Sequence, residues 1–233
     1  MTTWLRRAAW WAMDYAYVVR WQLVAVTRWR AVGELDPPAS AGSPPNPTVV
    51  LIPGVFESWQ FMRPLANRLH RCGCPVHLVP ALGFNTGPIP DMARVVAADL
   101  VRHDLTGVVL VAHSKGGLIG RYAMVHLDPD HRIRALVAVN TPFAGSRYAR
   151  WIPLPAVQAF APTDPTLAAL SADDAVNARI TSVSSRFDPH IPGGSSLAGA
   201  ADVQLRTPGH FRALGDPELV PVILDALARA DRG

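Results

Sequence analysis

The sequence predicts an α/β fold, a mostly parallel sheet with helices on both faces. Three observations predict it. From residue 48 onward, short apolar runs rich in valine, isoleucine and leucine alternate with stretches of helical period. The run Val108-Val109-Leu110-Val111-Ala112 passes through Ser114 into Gly116 and Gly117, then into the apolar stretch Leu118-Ile119-Gly120-Arg121-Tyr122-Ala123-Met124. That is a strand, a sharp turn and a helix. Hydrophobic residues make up 49% of the 233, enough to build one substantial core with an appendage.

The elements follow in order. Residues 3–32 contain no glycine or proline and form one long candidate helix, preceding the alternating region. Residues 33–47, dense in proline, glycine and serine, form a linker. Thr48–Ile52 is a buried strand, Trp59–Arg71 a helix and Val76–Pro80 a strand. Asp91–His103 is a helix with aspartate at its start, Gly107–Ala112 a strand, Lys115–His126 a helix and Ile133–Asn140 a strand. The segment 142–178 breaks the rhythm. Strands Ile180–Arg186 and Asp202–Arg206 and a final helix Pro217–Ala230 complete the pattern. The expected organisation is thus helix 1–32, linker 33–47 and an α/β domain 48–233. No internal repeat is present.

The net charge of +4 is concentrated at the front. Arg6, Arg7, Arg20, Arg28 and Arg30 face only Asp14 within residues 1–30, and the remainder balances to zero. No basic stripe remains for nucleic acid to follow. Residues 3–32 also hold Trp4, Trp10, Trp11, Trp21 and Trp29, with Tyr15 and Tyr17. The arginines scatter around the helical wheel, so no clean polar face emerges. Asp14 and Arg20 interrupt the apolar run well short of the ~18 residues of a membrane span. A cleavable signal peptide fits poorly, because Asp14 falls in the apolar region and no A-x-A site follows. The expected location is cytoplasmic or peripheral to the cytoplasmic membrane. Tryptophan, tyrosine and arginine together suit a bilayer surface; the alternative is packing on the domain or on another subunit. On the membrane reading, removal of residues 1–32 leaves turnover of short esters intact and weakens vesicle binding. Cys72 and Cys74 are too close for an unstrained disulfide and, without further ligands, make a poor metal site; they read as free thiols.

Ala112-His113-Ser114-Lys115-Gly116 is a G-x-S-x-G elbow with alanine at its first position. Small residues flank the serine because the turn is strained and close to neighbouring backbone. The turn lifts the Ser114 hydroxyl clear of the sheet at a helix N-terminus, which favours an anion. The bland alternative is a serine N-cap on an ordinary helix.

On this elbow and the loops after it, the sequence over 48–230 resembles the α/β-hydrolase family, in particular small bacterial lipases and esterases. The resemblance implies the order serine, acid, histidine. His210, in Thr207-Pro208-Gly209-His210-Phe211, is similar to the family's base loop, with His190 as the rival. Asp188, in Phe187-Asp188-Pro189, is similar to the acid loop; Asp164, Asp173 and Asp174 have helix-cap readings, and Asp202 lies at the wrong end of its strand. The implied oxyanion donors are the Lys115 amide and, from Ile52-Pro53-Gly54-Val55-Phe56, the Val55 amide, with the Phe56 amide as its alternative. The Lys115 side chain reads as a surface charge and His113 as a packed structural residue. Asn140-Thr141-Pro142-Phe143-Ala144-Gly145-Ser146 resembles the family's Thr-Pro-His-x-Gly-Ser stretch, with Phe143 in place of histidine.

The resemblance makes segment 143–175 a short cap or lid, so Phe56, Phe143, Trp151 and Leu154 are expected to wall the substrate pocket. The implied reaction is hydrolysis of carboxylic, lipid-like acyl esters through an acyl-enzyme, with no metal or organic cofactor required. Acyl transfer or thioester cleavage on the same fold is the first alternative, and a non-catalytic membrane-associated module the second.

Overall fold

Successive side chains of a β-strand point to opposite faces of its sheet, and here each face meets its own core. Val50, Ile52, Leu110, Ala112, Leu136 and Ala138 enter one core; Val49, Leu51, Val109, Val111, Val137 and Val139 enter the other. This burial on both sides explains why the central strands are continuous aliphatic runs. The computed structural model describes residues 3–27 and 46–230. Arg28, Trp29, Arg30 and most of the expected linker, residues 33–45, lie outside the described residues.

The sheet has six strands, all parallel: β1 (Val49–Ile52), β2 (Val76–Leu78), β3 (Val108–His113), β4 (Ile133–Val139), β5 (Ile180–Ser185) and β6 (Ala201–Leu205). Their order is β2-β1-β3-β4-β5-β6. The described helices are α1 (Thr3–Thr27), α2 (Arg63–Arg71), α3 (Ile89–Arg102), α4 (Lys115–His126), α5 (Pro155–Gln158), α6 (Pro165–Ala172) and α7 (Leu219–Ala230). α3 and α4 cover one face with Ala93, Val96, Leu100, Leu118 and Ile119. α2 and α7 cover the other, and Tyr17, Val18 and Trp21 of α1 pack on that same core.

One expected helix is divided. Trp59–Met62 forms a 3-10 turn and the α-helix begins only at Arg63. Pro64 has no N–H to donate and is tolerated only in a first helical turn, so it fixes the start. α3 likewise begins at Ile89, two residues before the expected start, with proline in its first turn. Asp164 caps α6 by accepting from the amides of Thr166 and Leu167 at 2.9 and 3.2 Å. Pairing of Ile52 with Ala112 and of His113 with Val139 brings the C-terminal ends of β1, β3 and β4 side by side. In open parallel sheets that edge is where ligands bind.

Candidate functional site

Ser114 stands between β3 and α4 with φ 51°, a conformation unfavourable for a residue with a Cβ. The neighbours make the turn possible. A Cβ on Gly116 would lie 2.5 Å from the Ile52 carbonyl oxygen, and one on Gly117 would lie 2.0 Å from Thr141 Oγ1. Glycine is therefore required at both positions for α4 to pack against β1 and the loop after β4.

From the serine runs a chain of hydrogen bonds. Ser114 Oγ lies 2.9 Å from His210 Nε2, and His210 Nδ1 lies 2.7 Å from Asp188 Oδ2. Asp188 Oδ1 accepts from the amides of His190 and Ile191 at 2.8 and 3.1 Å. Burial alone would raise the Asp188 pKa. The neighbouring His210, its hydrogen bond and the His190 amide outweigh burial and hold the carboxyl below its usual range.

The His210 backbone is held as closely as its ring. Asp14, buried on α1, accepts from the amides of His210, Phe211 and Arg212 at 2.8, 3.0 and 2.9 Å. The His210 carbonyl accepts from Asn140 Nδ2 at 2.7 Å and faces His113 Nε2 at 3.1 Å. Gly209 has φ 116°, and a Cβ there would meet Asp14 Oδ1 at 2.5 Å. The glycine before His210 thus admits the Asp14 carboxylate.

Behind the elbow lies a second buried pair. His113 Nδ1 is 2.8 Å from Glu57 Oε1, and Glu57 Oε2 accepts from the Gly54 amide at 2.7 Å. Both His113 nitrogens therefore face acceptors, a carboxylate and a carbonyl, which a doubly protonated ring satisfies. Burial pulls the His113 pKa down, but Glu57 and the His210 carbonyl prevail and raise it. Glu57 connects the loop after β1 to the backbone of His210 through one imidazole.

The loop after β1 places Val55 beside the serine cavity, and Gln22 of α1 donates to the Phe56 carbonyl at 2.8 Å. Lys115 opens α4, so its amide has no intrahelical acceptor. Its side chain is fully buried rather than a surface charge. The ammonium donates to the carbonyls of Asn85, at 3.0 Å, and Gly87. Loss of hydration lowers its pKa to about 8. These acceptors are backbone atoms on a distant loop, so no side-chain pattern in the sequence announces them.

A cavity of about 260 Å³ opens onto Ser114 and His210. Val18, Gln22, Phe56, Pro142, Ile152 and Phe160 are among its walls. Three expected wall residues lie elsewhere. Phe143 is 3% exposed in the core, under the Arg121 guanidinium at 5.9 Å. Trp151 and Leu154 are 72% and 47% exposed and do not line the cavity. The chain turns at Ala149–Trp151, which brings Ile152 inward and leaves its neighbours out. His190 lines the cavity, stacked on Trp11 with centroids 5.9 Å apart. Burial lowers its pKa to about 4, and its Nε2 is buried without a hydrogen-bond partner among the described residues. Asp14, Glu57, Asn140 and Gln22 were not anticipated at this site. An acid isolated in an aromatic helix, and another beside a glycine loop, were the available signals.

The family model for the alpha/beta hydrolase fold matches residues 47–173, more than half of the chain. The protein belongs to the α/β-hydrolase family. Among solved structures it is similar to the lipase BlEst2 of Bacillus licheniformis in mature form, at 18% identity over 82% of this chain and 95% of that one, with a TM-score of 0.69. It is also similar to a thermophilic esterase from Thermogutta terrifontis, at 15% identity over 79% and 90% of the two chains, with a TM-score of 0.55. An alpha/beta hydrolase fold protein from Burkholderia ambifaria matches at 20% identity over 77% and 90%, with a TM-score of 0.58. No curated protein matches the sequence.

Proposed function

We propose that the protein is a serine hydrolase of carboxylic esters, with a preference for lipid-like acyl chains. The observation that carries this is the hydrogen-bonded chain from Ser114 through His210 to Asp188 at the floor of an apolar-walled cavity. His210 Nδ1 donates to Asp188, which leaves the Nε2 lone pair facing the serine hydroxyl. Ser114 attacks the ester carbonyl as His210 takes its proton. The Val55 and Lys115 amides hold the tetrahedral oxyanion. His210 then protonates the departing alcohol. A water, deprotonated by His210, attacks the acyl-enzyme and releases the acid and Ser114.

The cavity lies near the lower limit of the ~300–1,000 Å³ usual for ligand sites. That size supports acyl chains of intermediate length. Labelling by a fluorophosphonate tests the nucleophile: wild type is labelled at Ser114 and Ser114→Ala is not, and an unlabelled wild type would overturn the reading. A p-nitrophenyl ester series from acetate to palmitate tests the pocket, with the optimum expected between those extremes.

A further inference from the structure

Away from the serine, the sheet edge carries a second group of chemistry-bearing side chains. His77 lies on β2, the edge strand, and Asp99 and His103 lie one turn apart at the end of α3. His77 Nε2 is 2.6 Å from Asp99 Oδ2, and His103 Nδ1 is 3.5 Å from Asp99 Oδ1. One ligating atom from each of the three residues lies within 4.8 Å of the other two. Asp99 is only 6% exposed, and among the described residues no lysine or arginine pairs with its carboxylate.

We propose that His77, Asp99 and His103 form a binding site for a divalent ion of the zinc type, with water completing its shell. Zinc bonds to imidazole and carboxylate at about 2.0–2.2 Å, which sets neighbouring ligand atoms roughly 3.3 Å apart in a tetrahedron. His77 approaches Asp99 Oδ2 and His103 approaches Oδ1, and the three ligand atoms lie within 4.8 Å of one another, so side-chain rotations that draw them toward that spacing seat the ion. Two imidazoles select a borderline cation over magnesium or calcium, which prefer oxygen. His103 Nδ1 also lies 3.0 Å from the Asp99 carbonyl. That carbonyl accepts from the His103 amide at 3.1 Å as well, so it stays satisfied when Nδ1 turns to the metal. The exposed His103 ring provides the way in.

The ion's role is a clip. It joins the edge strand to α3 and closes the intervening chain, which contains the Asn85 and Gly87 carbonyls that hold Lys115. It takes no part in acyl transfer, and the inference is independent of the ester-hydrolase reading.

Tag-free, metal-depleted protein titrated with zinc in a calorimeter tests it. One zinc per chain is expected, with affinity falling at least tenfold in His77→Gln and in His103→Gln. Zinc at 100-fold excess over the wild-type Kd raises the wild-type Tm by roughly 5–10 °C and raises that of either variant by no more than about half as much. His103 is exposed enough for its variant to fold, so the test stands if His77→Gln does not. Absence of one-to-one binding, or binding that survives in His103→Gln and vanishes in His210→Ala, would overturn the proposal.

Discussion

At the residue scale, the His113–Glu57 pair carries the clearest consequence for pH. A group whose pKa is raised by folding stabilises the native state fully below its unfolded value, and that contribution is lost as pH rises through the folded value. For His113 the loss begins above about 6.5. Glu57→Gln removes the buried carboxylate, so the decline in urea-denaturation stability from pH 6 to 9 should flatten relative to wild type. Below about pH 6.5, where the pair is fully charged, the variant should also be less stable by roughly 3 kcal/mol, since removing one partner of a buried ion pair costs about that much. Identical slopes in the two proteins would sink the assignment of an imidazolium at His113. His190 works in the other direction. Its pKa is lowered to about 4, so the unfolded chain takes up a proton first as pH falls from about 6.5. Native stability therefore drops across that window, and His190→Gln should lose less over the same range. Lys115 adds a third window: its folded value of about 8 lies below the ordinary 10.5. Stability linked to this group rises between those values, and Lys115→Met abolishes the rise.

At the element scale, α1 is joined to the site rather than appended to it. Asp14 satisfies three successive amides of the His210 loop across 196 residues of sequence, and Gln22 holds the loop after β1. The sequence alone suggested that removal of residues 1–32 spares short-ester turnover; the structure argues for the reverse. Asp14→Ala leaves three amides, one buried and two partly buried, without their acceptor and frees the His210 backbone. Its kcat on p-nitrophenyl butyrate should fall about 100-fold, a loss of ~2.7 kcal/mol of transition-state stabilisation, with KM changing far less. Activity within twofold of wild type would show that Asn140 and His113 position the loop unaided. This element also marks the limit of what the sequence discloses. The strands were legible because burial on both faces demands aliphatic residues at every position. The Ser114 turn was legible because sterics demand small residues beside it. Asp14 was visible only as a charge interrupting an apolar helix, since its partners are backbone amides and those have no sequence signature. Lys115 misled for the same reason. Pro64 could have signalled the divided helix, because its missing N–H confines it to a first turn.

At the scale of the whole molecule, the exposed apolar residues gather on α1 and on the segment after β4. Trp4, Leu5, Trp11, Met13 and Val19 face outward on the helix, as do Trp151 and Leu154 on the segment after β4. Val18 of α1 and Ile152 also line the cavity, so the two exposed surfaces flank its mouth. Asp14 is buried and engaged, which leaves Arg6, Arg7 and Arg20 as the described outward charges of α1. Each guanidinium lies over an aromatic ring, at 5.0 Å on Trp10, 5.3 Å on Phe187 and 5.3 Å on Trp21. No described helix is long and apolar enough to cross a membrane. A helix whose inner face packs on the domain and whose outer face mixes tryptophan with arginine is suited to rest on an anionic bilayer. Each arginine near such a surface contributes about 1 kcal/mol, attenuated by salt over a Debye length of ~8 Å at physiological ionic strength. We therefore expect wild type to co-sediment with phosphatidylglycerol vesicles and only weakly with phosphatidylcholine vesicles, the difference shrinking in 0.5 M salt. Trp4→Ser with Arg6→Ser should weaken the anionic binding about tenfold while turnover of a soluble short ester stays within threefold, because neither residue touches the cavity. Equal sedimentation of the variant and wild type would confine α1 to its inner task, the support of His210.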